Sequence, residues 1–185
     1  MALLPNRLAD ADIYLRRWLP EMVDEMLEAV ELSHAELRFW MPWAQGPPNR
    51  EELVNVLTNG QELFAADKEW NYAVFENSSG VLVGSGGLHV VEDPDVPEIG
   101  YWVRSDRTGR GYATATARAL ADAAFRYLPD VQQVKIRMDK ANVASAAVPP
   151  KLGFRLLKEE DRKKEVEGHS GKGFVWVLDR VGLTN

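Results

Sequence analysis

The sequence predicts an α/β (α+β) fold, a mixed and mostly antiparallel sheet flanked by helices, on three observations. Segments with apolar residues at alternate positions are interleaved with segments whose apolar residues recur every three or four positions. Hydrophobic residues make up 45% and charged residues 27% of the 185 residues, which is typical of a folded domain. The chain has no internal repeat and no linker that would divide it. We therefore expect residues 1–185 to form a single domain.

The periodicity of the apolar residues gives the order of the elements. A period of two indicates strands, whereas a spacing of three or four indicates helices. Glycine, proline and asparagine separate the segments. The expected elements are a strand at 13–18, helices at 22–30 and 51–67 with an irregular segment at 37–49 between them, strands at 72–76, 81–91 and 98–104 with a turn-forming linker at 92–97, a helix at 113–128, a strand at 134–138, a short helical or turn element at 141–154, and strands at 154–159 and 174–180.

The composition excludes several classes of function. The net charge of −6 argues against nucleic acid and against an anionic membrane surface as partners. The absence of cysteine excludes disulfides, thiol nucleophiles and cysteine metal sites, and the three histidines show no metal-binding spacing. Charge and proline come too early for a signal peptide, and no segment approaches membrane-spanning length. We therefore expect a soluble cytoplasmic protein without a metal.

The segment RTGRGYATATARAL (107–120) places two glycines directly before an alanine-rich helix. Glycine lets the main chain turn tightly, and the start of a helix presents unbonded N–H groups to an anion. A Walker loop would need lysine and serine or threonine after its second glycine, but tyrosine and alanine follow Gly111. A dinucleotide fingerprint would need a small residue where Thr114 stands. Both of these phosphate-loop interpretations are weak.

Two stretches, EIGYWVRSDRTGRGYATATARAL (98–120) and IRMDKANVASAAVPPKLGFR (136–155), resemble the GNAT superfamily of acyl-coenzyme A N-acyltransferases. IYLRRW near the start and MPWA at 41–44 make the likeness greatest to its RimJ/RimL-type branch. The combination of the G-x-G-Y-A loop with the spacing N-x-x-S-x-x-V-x-x-K-L-G-F from Asn142 to Phe154 is specific. The resemblance covers essentially the whole chain and implies a GNAT-like sheet with a splayed pair of strands.

The resemblance also implies acetyl-CoA as co-substrate, held mainly by the main chain. The strand with Trp102, Val103 and Arg104 would splay from its neighbour and pair with the pantetheine arm. Asn142 would contact the pantetheine, cap a helix, or do both. Thr108 departs from the arginine or glutamine that often begins this loop in the family. The amides expected to hold the pyrophosphate are those of Gly109, Arg110, Gly111, Tyr112, Ala113 and Thr114.

Acetyl transfer from a thioester to an amine needs a group that takes the amine proton, donors for the carbonyl oxygen and an acid for the thiolate. A backbone N–H near Val103 is the expected oxyanion donor. The resemblance assigns the thiolate to Ser145, because the tyrosine that many relatives use is replaced here by Pro149. Pro149 and Pro150 require a helix around Ser145 to end early, begin late or kink.

Glu98 is the expected base, since it begins the splayed strand and shares a face with Trp102. Two acids of the last loop, Glu165 and Glu167, and His89 at the end of the preceding strand are alternatives. The remaining candidates, Trp40 and Trp43, are placed on the loop between the first helices, as walls of an acceptor pocket or as packing residues.

The sequence thus predicts an enzyme that moves the acetyl group of acetyl-CoA to a primary amine by direct attack. The acceptor is left open between the α-amine of a protein or peptide and a small-molecule amine. Succinyl-CoA is an alternative donor, for which no basic pocket residue is assigned. A non-catalytic CoA-binding sensor or interaction module is the rival from another class. The oligomeric state is also open, a homodimer being one expectation.

Overall fold

The computed structural model describes residues 3–91 and 93–180 and forms one eight-stranded sheet with helices on both faces. The strands are β1 (Arg7–Ala9), β2 (Ile13–Arg17), β3 (Glu69–Glu76), β4 (Leu82–His89), β5 (Glu98–Val103), β6 (Gln133–Asp139), β7 (Arg155–Asp161) and β8 (Lys172–Asp179). The helices are α1 (Val23–Trp40), α2 (Arg50–Ala65), α3 (Tyr112–Tyr127), α4 (Val143–Ala146) and α5 (Val148–Lys151), with 3₁₀ turns at Pro20–Met22, Pro42–Ala44 and Ser105–Arg107.

The sheet has the strand order β1-β2-β3-β4-β5-β6-β8-β7. Its neighbouring strands are antiparallel except β5 and β6, which run parallel. A parallel pair needs a crossover connection, and α3 supplies it. The mixed, mostly antiparallel sheet expected from the sequence is therefore confirmed.

Each face of the sheet carries its own hydrophobic core. On one face, which we call the α1–α2 face, Val30 and Leu57 pack with Phe75 and Leu82 of the strands. On the opposite face, the α3 face, the core contains fully buried strand side chains, such as Leu15, Val74, Leu88, Ile99 and Ile136, in one cluster with α3. Both faces are covered, so a site can form only where the strands separate or where a helix leaves space.

Helix α3 packs directly on the sheet at Gly86 of β4. Ala117, Leu120 and Ala124 are fully buried, and a Cβ atom placed on Gly86 of β4 would lie 2.4 Å from Cγ2 of Thr116. Only small residues at this contact allow the helix to approach so near. The alanine-rich helix predicted at 113–128 is confirmed, and its N-terminus is thereby fixed beside β4 and β5.

The structure adds one strand to the predicted elements and changes the bounds of others. β1 was not predicted, because a three-residue strand with Leu8 as its one buried residue shows no periodicity. α1 continues through 37–40 because Leu37 extends the buried stripe from Val30. The helix ends only before Pro42, whose preceding residue is extended. α2 begins one residue earlier and ends two residues earlier than expected, and the element at 141–154 is split into α4 and α5. Glu92 of the linker at 92–97 lies outside the described residues.

Candidate active site

Strands β5 and β6 form a fork. Glu98 is the one β5 residue in register with β6, where it faces Lys135, and the N–H of Lys135 donates to the carbonyl of Pro97 at 3.0 Å. On the other side of β5, the N–H of Arg104 donates to Val83 of β4 at 2.8 Å. Backbone groups of successive residues point to opposite sides of a strand. Those of Tyr101 and Val103 therefore face the open side of the fork.

The directions of the backbone groups give different roles to Trp102, Val103 and Arg104, which were all predicted to pair with the pantetheine arm. Val103 presents its main chain to the fork, as expected. The main chain of Trp102 faces β4, and its side chain packs on the α1–α2 face. The buried Arg104 directs its N–H to β4, and its guanidinium donates to both carboxylate oxygens of Asp106 and to the carbonyl of Leu82. Its N–H and side chain are thus engaged within the protein and do not face the fork, unlike the expectation from the sequence.

The glycine loop opens directly into α3. Gly109 and Gly111 have φ of 75° and 83°, in the left-handed region that favours glycine, and a Cβ on either would meet nothing within 4 Å. Gly111 is the N-cap and provides no side-chain cap, and Ala115 N–H to Gly111 O is the first helical hydrogen bond. The amides of Tyr112, Ala113 and Thr114 precede that bond. An open loop with uncapped amides fits an anion.

The side chain of Tyr112 anchors the end of the glycine loop, and Arg107 and Arg110 flank the loop. Tyr112 is buried, and its hydroxyl donates to a carboxylate oxygen of Glu76 on β3. Hydrogen bonds from Ser79 and Tyr112 hold the pKa of Glu76 below its ordinary value. Arg110 is exposed, whereas Arg107 lies 3.5 Å from Asp106. Arg110, not Arg107, is therefore the loop cation with a side chain in solvent.

Ser145 lies at the fork, on the short helix α4. Its N–H donates to Asn142 Oδ1 at 3.0 Å, so Asn142 caps this helix. α4 ends at Ala146 and α5 begins at Val148, with Pro149 and Pro150 in the first turn of α5, where a missing N–H is tolerated. The two prolines were expected to interrupt a helix around Ser145, and the structure has two separate short helices there.

Tyr101 joins β5 to α4. Its hydroxyl lies 3.2 Å from Ser145 Oγ and donates to the Ser145 carbonyl at 3.3 Å. Burial raises the pKa of Tyr101 to about 12, so the phenol keeps its proton at neutral pH. Sequence reasoning did not select Tyr101. Its position between Gly100 and Trp102 in a strand would have placed its main chain on the fork side once the pairing was known.

A cavity of about 430 Å³ lies on the α1–α2 face, between the two helices and the middle of the sheet. Trp43 and Trp102 line it, together with Gly100 and Tyr101 of β5. Trp40 does not line it. Trp40 is the last residue of α1, not a loop residue, and its ring packs edge-on against Phe39. The cavity and the fork share β5, because Tyr101 borders the cavity and contacts Ser145.

His89 faces this cavity from the end of β4. Its Nδ1 lies 3.5 Å from Glu69 Oε2, and Asn71 donates to the same oxygen at 3.5 Å. Its Nε2 lies on the other side of the ring, over Gly100, where a Cβ would be 3.4 Å away. A carboxylate behind an imidazole orients the ring. His89 therefore presents an oriented nitrogen to the cavity.

Glu98 points elsewhere. Its Oε2 lies 3.1 Å from Arg137 Nε, and it is not among the residues that line the cavity. Burial raises the pKa of Glu98, although Arg137 and Lys135 act in the opposite direction. The carboxylate is thus partly engaged by the positive charges on β6.

The acids of the last loop also lie outside the cavity lining. Glu165 and Glu167 are exposed, and Glu165 Oε1 lies 3.8 Å from Lys163 Nζ. The loop is held by His169, whose Nδ1 accepts from the Glu165 N–H at 3.3 Å and whose Nε2 lies 3.2 Å from the carbonyl of Trp40. His169 therefore ties the β7–β8 loop to the end of α1.

Residues 12–155 match the family model described as "Acetyltransferase (GNAT) domain". The chain belongs to the GNAT acetyltransferase family. This GNAT chain is 27% identical over 149 residues, 77% of each protein, to "Putative ribosomal N-acetyltransferase YdaF" of Bacillus subtilis (strain 168). It is therefore an acetyltransferase, and acetyl-CoA is the co-substrate of this family.

Solved structures share the fold of this GNAT chain. RimL, a ribosomal L7/L12 alpha-N-protein acetyltransferase in complex with coenzyme A, has a TM-score of 0.85 and 19% identity, with 94% of this chain and 97% of that chain covered. The microcin C7 self-immunity acetyltransferase MccE, in complex with acetyl-CoA and AMP, has a TM-score of 0.85 and 15% identity, with 97% and 99% covered. At these identities the likeness shows the fold.

Residues 3–91 and 93–180 contain neither a metal-binding cluster nor a membrane-spanning helix. No group of three or more His, Asp or Glu side chains in this part of the chain is arranged to hold a metal ion. None of its helices is both long enough and apolar enough to cross a membrane.

Proposed function

We propose that this chain transfers the acetyl group of acetyl-CoA to a primary amine that enters the cavity on the α1–α2 face. One observation carries the proposal: β5 borders the cavity with Gly100 and Tyr101 and, through Tyr101, reaches Ser145 at the fork. An amine in the cavity and a thioester in the fork would therefore meet across a single strand. Residues 1–185 act as one domain in this proposal.

The chain's main chain would hold the donor. The free groups of Tyr101 and Val103 suit the amide-containing pantetheine arm, and the amides of Gly109 to Thr114 suit the pyrophosphate. Bound acetyl-CoA supplies the activated acetyl group. The N–H of Val103 is the proposed donor to the carbonyl oxygen, since it lies beyond the point where β5 leaves β6.

We assign removal of the amine proton to His89 in preference to Glu98. Imidazole is the commonest general base in proteins, and Nε2 of His89 borders the cavity while Glu69 holds the other side of the ring. Glu98 is engaged by Arg137. In the transfer, the amine nitrogen forms the new C–N bond, its proton passes to His89, and the C–S bond breaks.

The thiolate is assigned to Ser145 and Tyr101. Ser145 Oγ and the Tyr101 hydroxyl lie 3.2 Å apart, and either oxygen can donate to the other. Tyr101 keeps its proton because burial raises its pKa to about 12. It therefore supports a hydrogen bond from the Ser145 hydroxyl to the departing sulfur. Asn142 fixes Ser145 by capping α4.

The alternatives left open by the sequence differ in the acceptor and in the acyl donor. The names of YdaF and RimL point to ribosomal proteins, whereas the MccE complex contains AMP, so this fold accommodates both protein and small-molecule chemistry. Succinyl-CoA would place a carboxylate near the acceptor, and the cavity lining includes no lysine or arginine among the described residues. A cytoplasmic location and a homodimer remain predictions.

The test is release of free coenzyme A thiol from acetyl-CoA, measured with peptides, alkylamines, arylalkylamines and diamines. Acetylation of any primary amine with a turnover above the amine-free rate is expected. The rival CoA-binding module predicts a measurable acetyl-CoA affinity by calorimetry together with no amine-dependent release. Replacing acetyl-CoA with succinyl-CoA in the same assay distinguishes the donors.

A further inference from the structure

We infer that the acceptor is a small primary amine with an apolar aryl or alkyl body, and that Gly60 on α2 keeps room for that body. This inference rests on the proposed function and names the substrate class of its site. Three observations support it: the cavity wall is mostly apolar, His89 lies at one end of the cavity, and α2 has a glycine at position 60 that neither its backbone nor its packing requires.

The cavity wall is apolar over most of its area. Met26 and Val30 come from α1, Leu53 and Leu57 from α2, and Trp43 from the connection between them. Among the described lining residues there is no lysine or arginine, and Glu52 is the one carboxylate. A cavity of about 430 Å³ is within the range of about 300–1,000 Å³ that holds small molecules. Such a wall favours a hydrocarbon body over a second charge or a carboxylate.

The polar side chains of the lining are mostly engaged with the protein. His34 Nε2 lies 3.1 Å and 2.8 Å from the carbonyls of Ala44 and Gly46, which fix it as a donor to the loop. Ser85 accepts from Trp18 Nε1 and donates to Tyr72 O. A peptide would bring further N–H and C=O groups that need partners.

Nε2 of His89 lies at the β5 end of the cavity, over Gly100, while Glu69 lies beside the other nitrogen of the ring. The β5 end of the cavity is therefore suited to an amine, and most of the remaining wall is apolar.

Gly60 is the position that leaves this remainder open. Leu53, Val56, Leu57 and Gly60 recur at helical spacing on the face of α2 that lines the cavity. Glycine is a poor helix former, and a Cβ at Gly60 would meet nothing within 4 Å. Neither backbone geometry nor close packing requires a glycine here. Its consequence is space at the cavity wall, which a larger side chain would fill.

The test uses the full chain with acetyl-CoA and four acceptors: 2-phenylethylamine, tryptamine, putrescine and a peptide that begins with serine. We expect kcat/KM for the two arylalkylamines to exceed that for putrescine and the peptide by about tenfold or more, because the latter bring charged or polar groups to an apolar wall. Preference for the peptide or for putrescine would overturn the inference and leave the proposed transferase intact. Acetyl-CoA binding with no acetylation of any amine would overturn both.

Two variants test the role of Gly60. Gly60→Leu should lower kcat/KM for tryptamine by about tenfold and change it less for the smaller butylamine, because the new side chain fills the cavity. Asn59→Leu is the matched control, since Asn59 is the exposed neighbour on α2 and does not line the cavity. Circular dichroism checks that both variants fold. A Gly60→Leu variant that acetylates tryptamine as well as the parent does would contradict the assignment of Gly60.

Discussion

The donor side and the acceptor side of this site are built from different parts of the polypeptide. On the donor side, the fork and the glycine loop offer main-chain groups of Tyr101, Val103 and residues 109–114. On the acceptor side, the cavity offers side chains from α1, α2 and three strands. Main-chain recognition tolerates changes of side chain, whereas a cavity wall changes with each substitution. The two sides can therefore vary independently, and variants of one should leave the other unaffected.

The largest effect is expected on the acceptor side, at His89. His89→Gln keeps a polar side chain but removes the base, so kcat near neutral pH should fall by about a hundredfold or more and recover partly in alkaline solution. The affinity for acetyl-CoA, measured by calorimetry, should not change. Glu69→Gln should give a smaller loss of kcat, because Glu69 acts by orienting the ring.

Glu98→Gln and Glu165→Gln are the controls for this prediction. Both should keep the parental pH–rate profile, since neither side chain lines the cavity. If Glu98→Gln loses turnover while His89→Gln retains it, the base is Glu98. Its pKa, which burial raises above the ordinary value, would then place the acid limb of the profile above the usual glutamate range.

The next effect is expected on the donor side, at Gly111. Gly111→Asp should weaken acetyl-CoA binding by about a hundredfold, equivalent to about 2.7 kcal/mol. The reasons are the strain of a side chain at φ 83° and the negative charge beside the pyrophosphate. Gly111→Asn is the matched control, with the same size and no charge, and should lose less. Turnover of S-acetylpantetheine, which lacks the pyrophosphate, should be similar in all three proteins. Undiminished affinity of Gly111→Asp would remove the loop from the donor site.

A smaller effect is expected where the two sides meet. Ser145→Ala should lower kcat by about tenfold with little change in acetyl-CoA affinity, because its contact matters as charge develops on sulfur. Tyr101→Phe should lower kcat by less, since it removes only the partner of Ser145. Equal turnover in Ser145→Ala and the parent would mean that Ser145 is only a structural residue of α4, whose N-terminus Asn142 caps.

The smallest effect concerns stability and neither ligand. Arg118 on α3 makes two hydrogen bonds to Asp10 in the β1–β2 turn and holds the pKa of Asp10 below its ordinary 3.8. The ionised form is thus favoured in the folded state, so the stabilisation exists above pH 3.8 and disappears as the pH falls through the lowered value. Asp10→Asn should lower the free energy of unfolding by about 1 kcal/mol near pH 7 and by nothing in strong acid. Chemical denaturation at both pH values measures this, and an equal loss at both would contradict it.

The sequence predicted the donor side better than the acceptor side for a physical reason. Glycines followed by an alanine-rich run mark a loop and a helix start within a few residues, so Gly109, Gly111 and α3 could be predicted locally. The Asn142–Phe154 spacing likewise placed Ser145 beside its cap. Arg104 was wrongly predicted to face the fork. The direction of each N–H is set by the pairing of β5 with β4, which the sequence of β5 alone does not reveal.

The acceptor side depends on contacts between distant segments. Glu69 and His89 meet only because β3 and β4 pair in the register that places them opposite each other. Trp40 and Trp43 look equivalent in the sequence, yet α1 carries Trp40 past the cavity while the turn at Pro42–Ala44 directs Trp43 into its wall. Registers and helix ends set by tertiary packing are what a single sequence predicts least well.

The β5–β6 fork also has a mechanical consequence. Strands β1–β5 form one continuous ladder and β6, β8 and β7 form another, and in the described chain the register joins them only at Glu98 and Lys135. α3 and the bond from Gly168 N–H to Phe39 O also connect the two halves. A molecule hydrogen-bonded along the free edge of β5 would connect the two ladders and restrict their relative motion. Amide hydrogen exchange should therefore slow at Tyr101 and Val103 and across both ladders when the fork is filled, and thermal unfolding should shift upward as one cooperative transition.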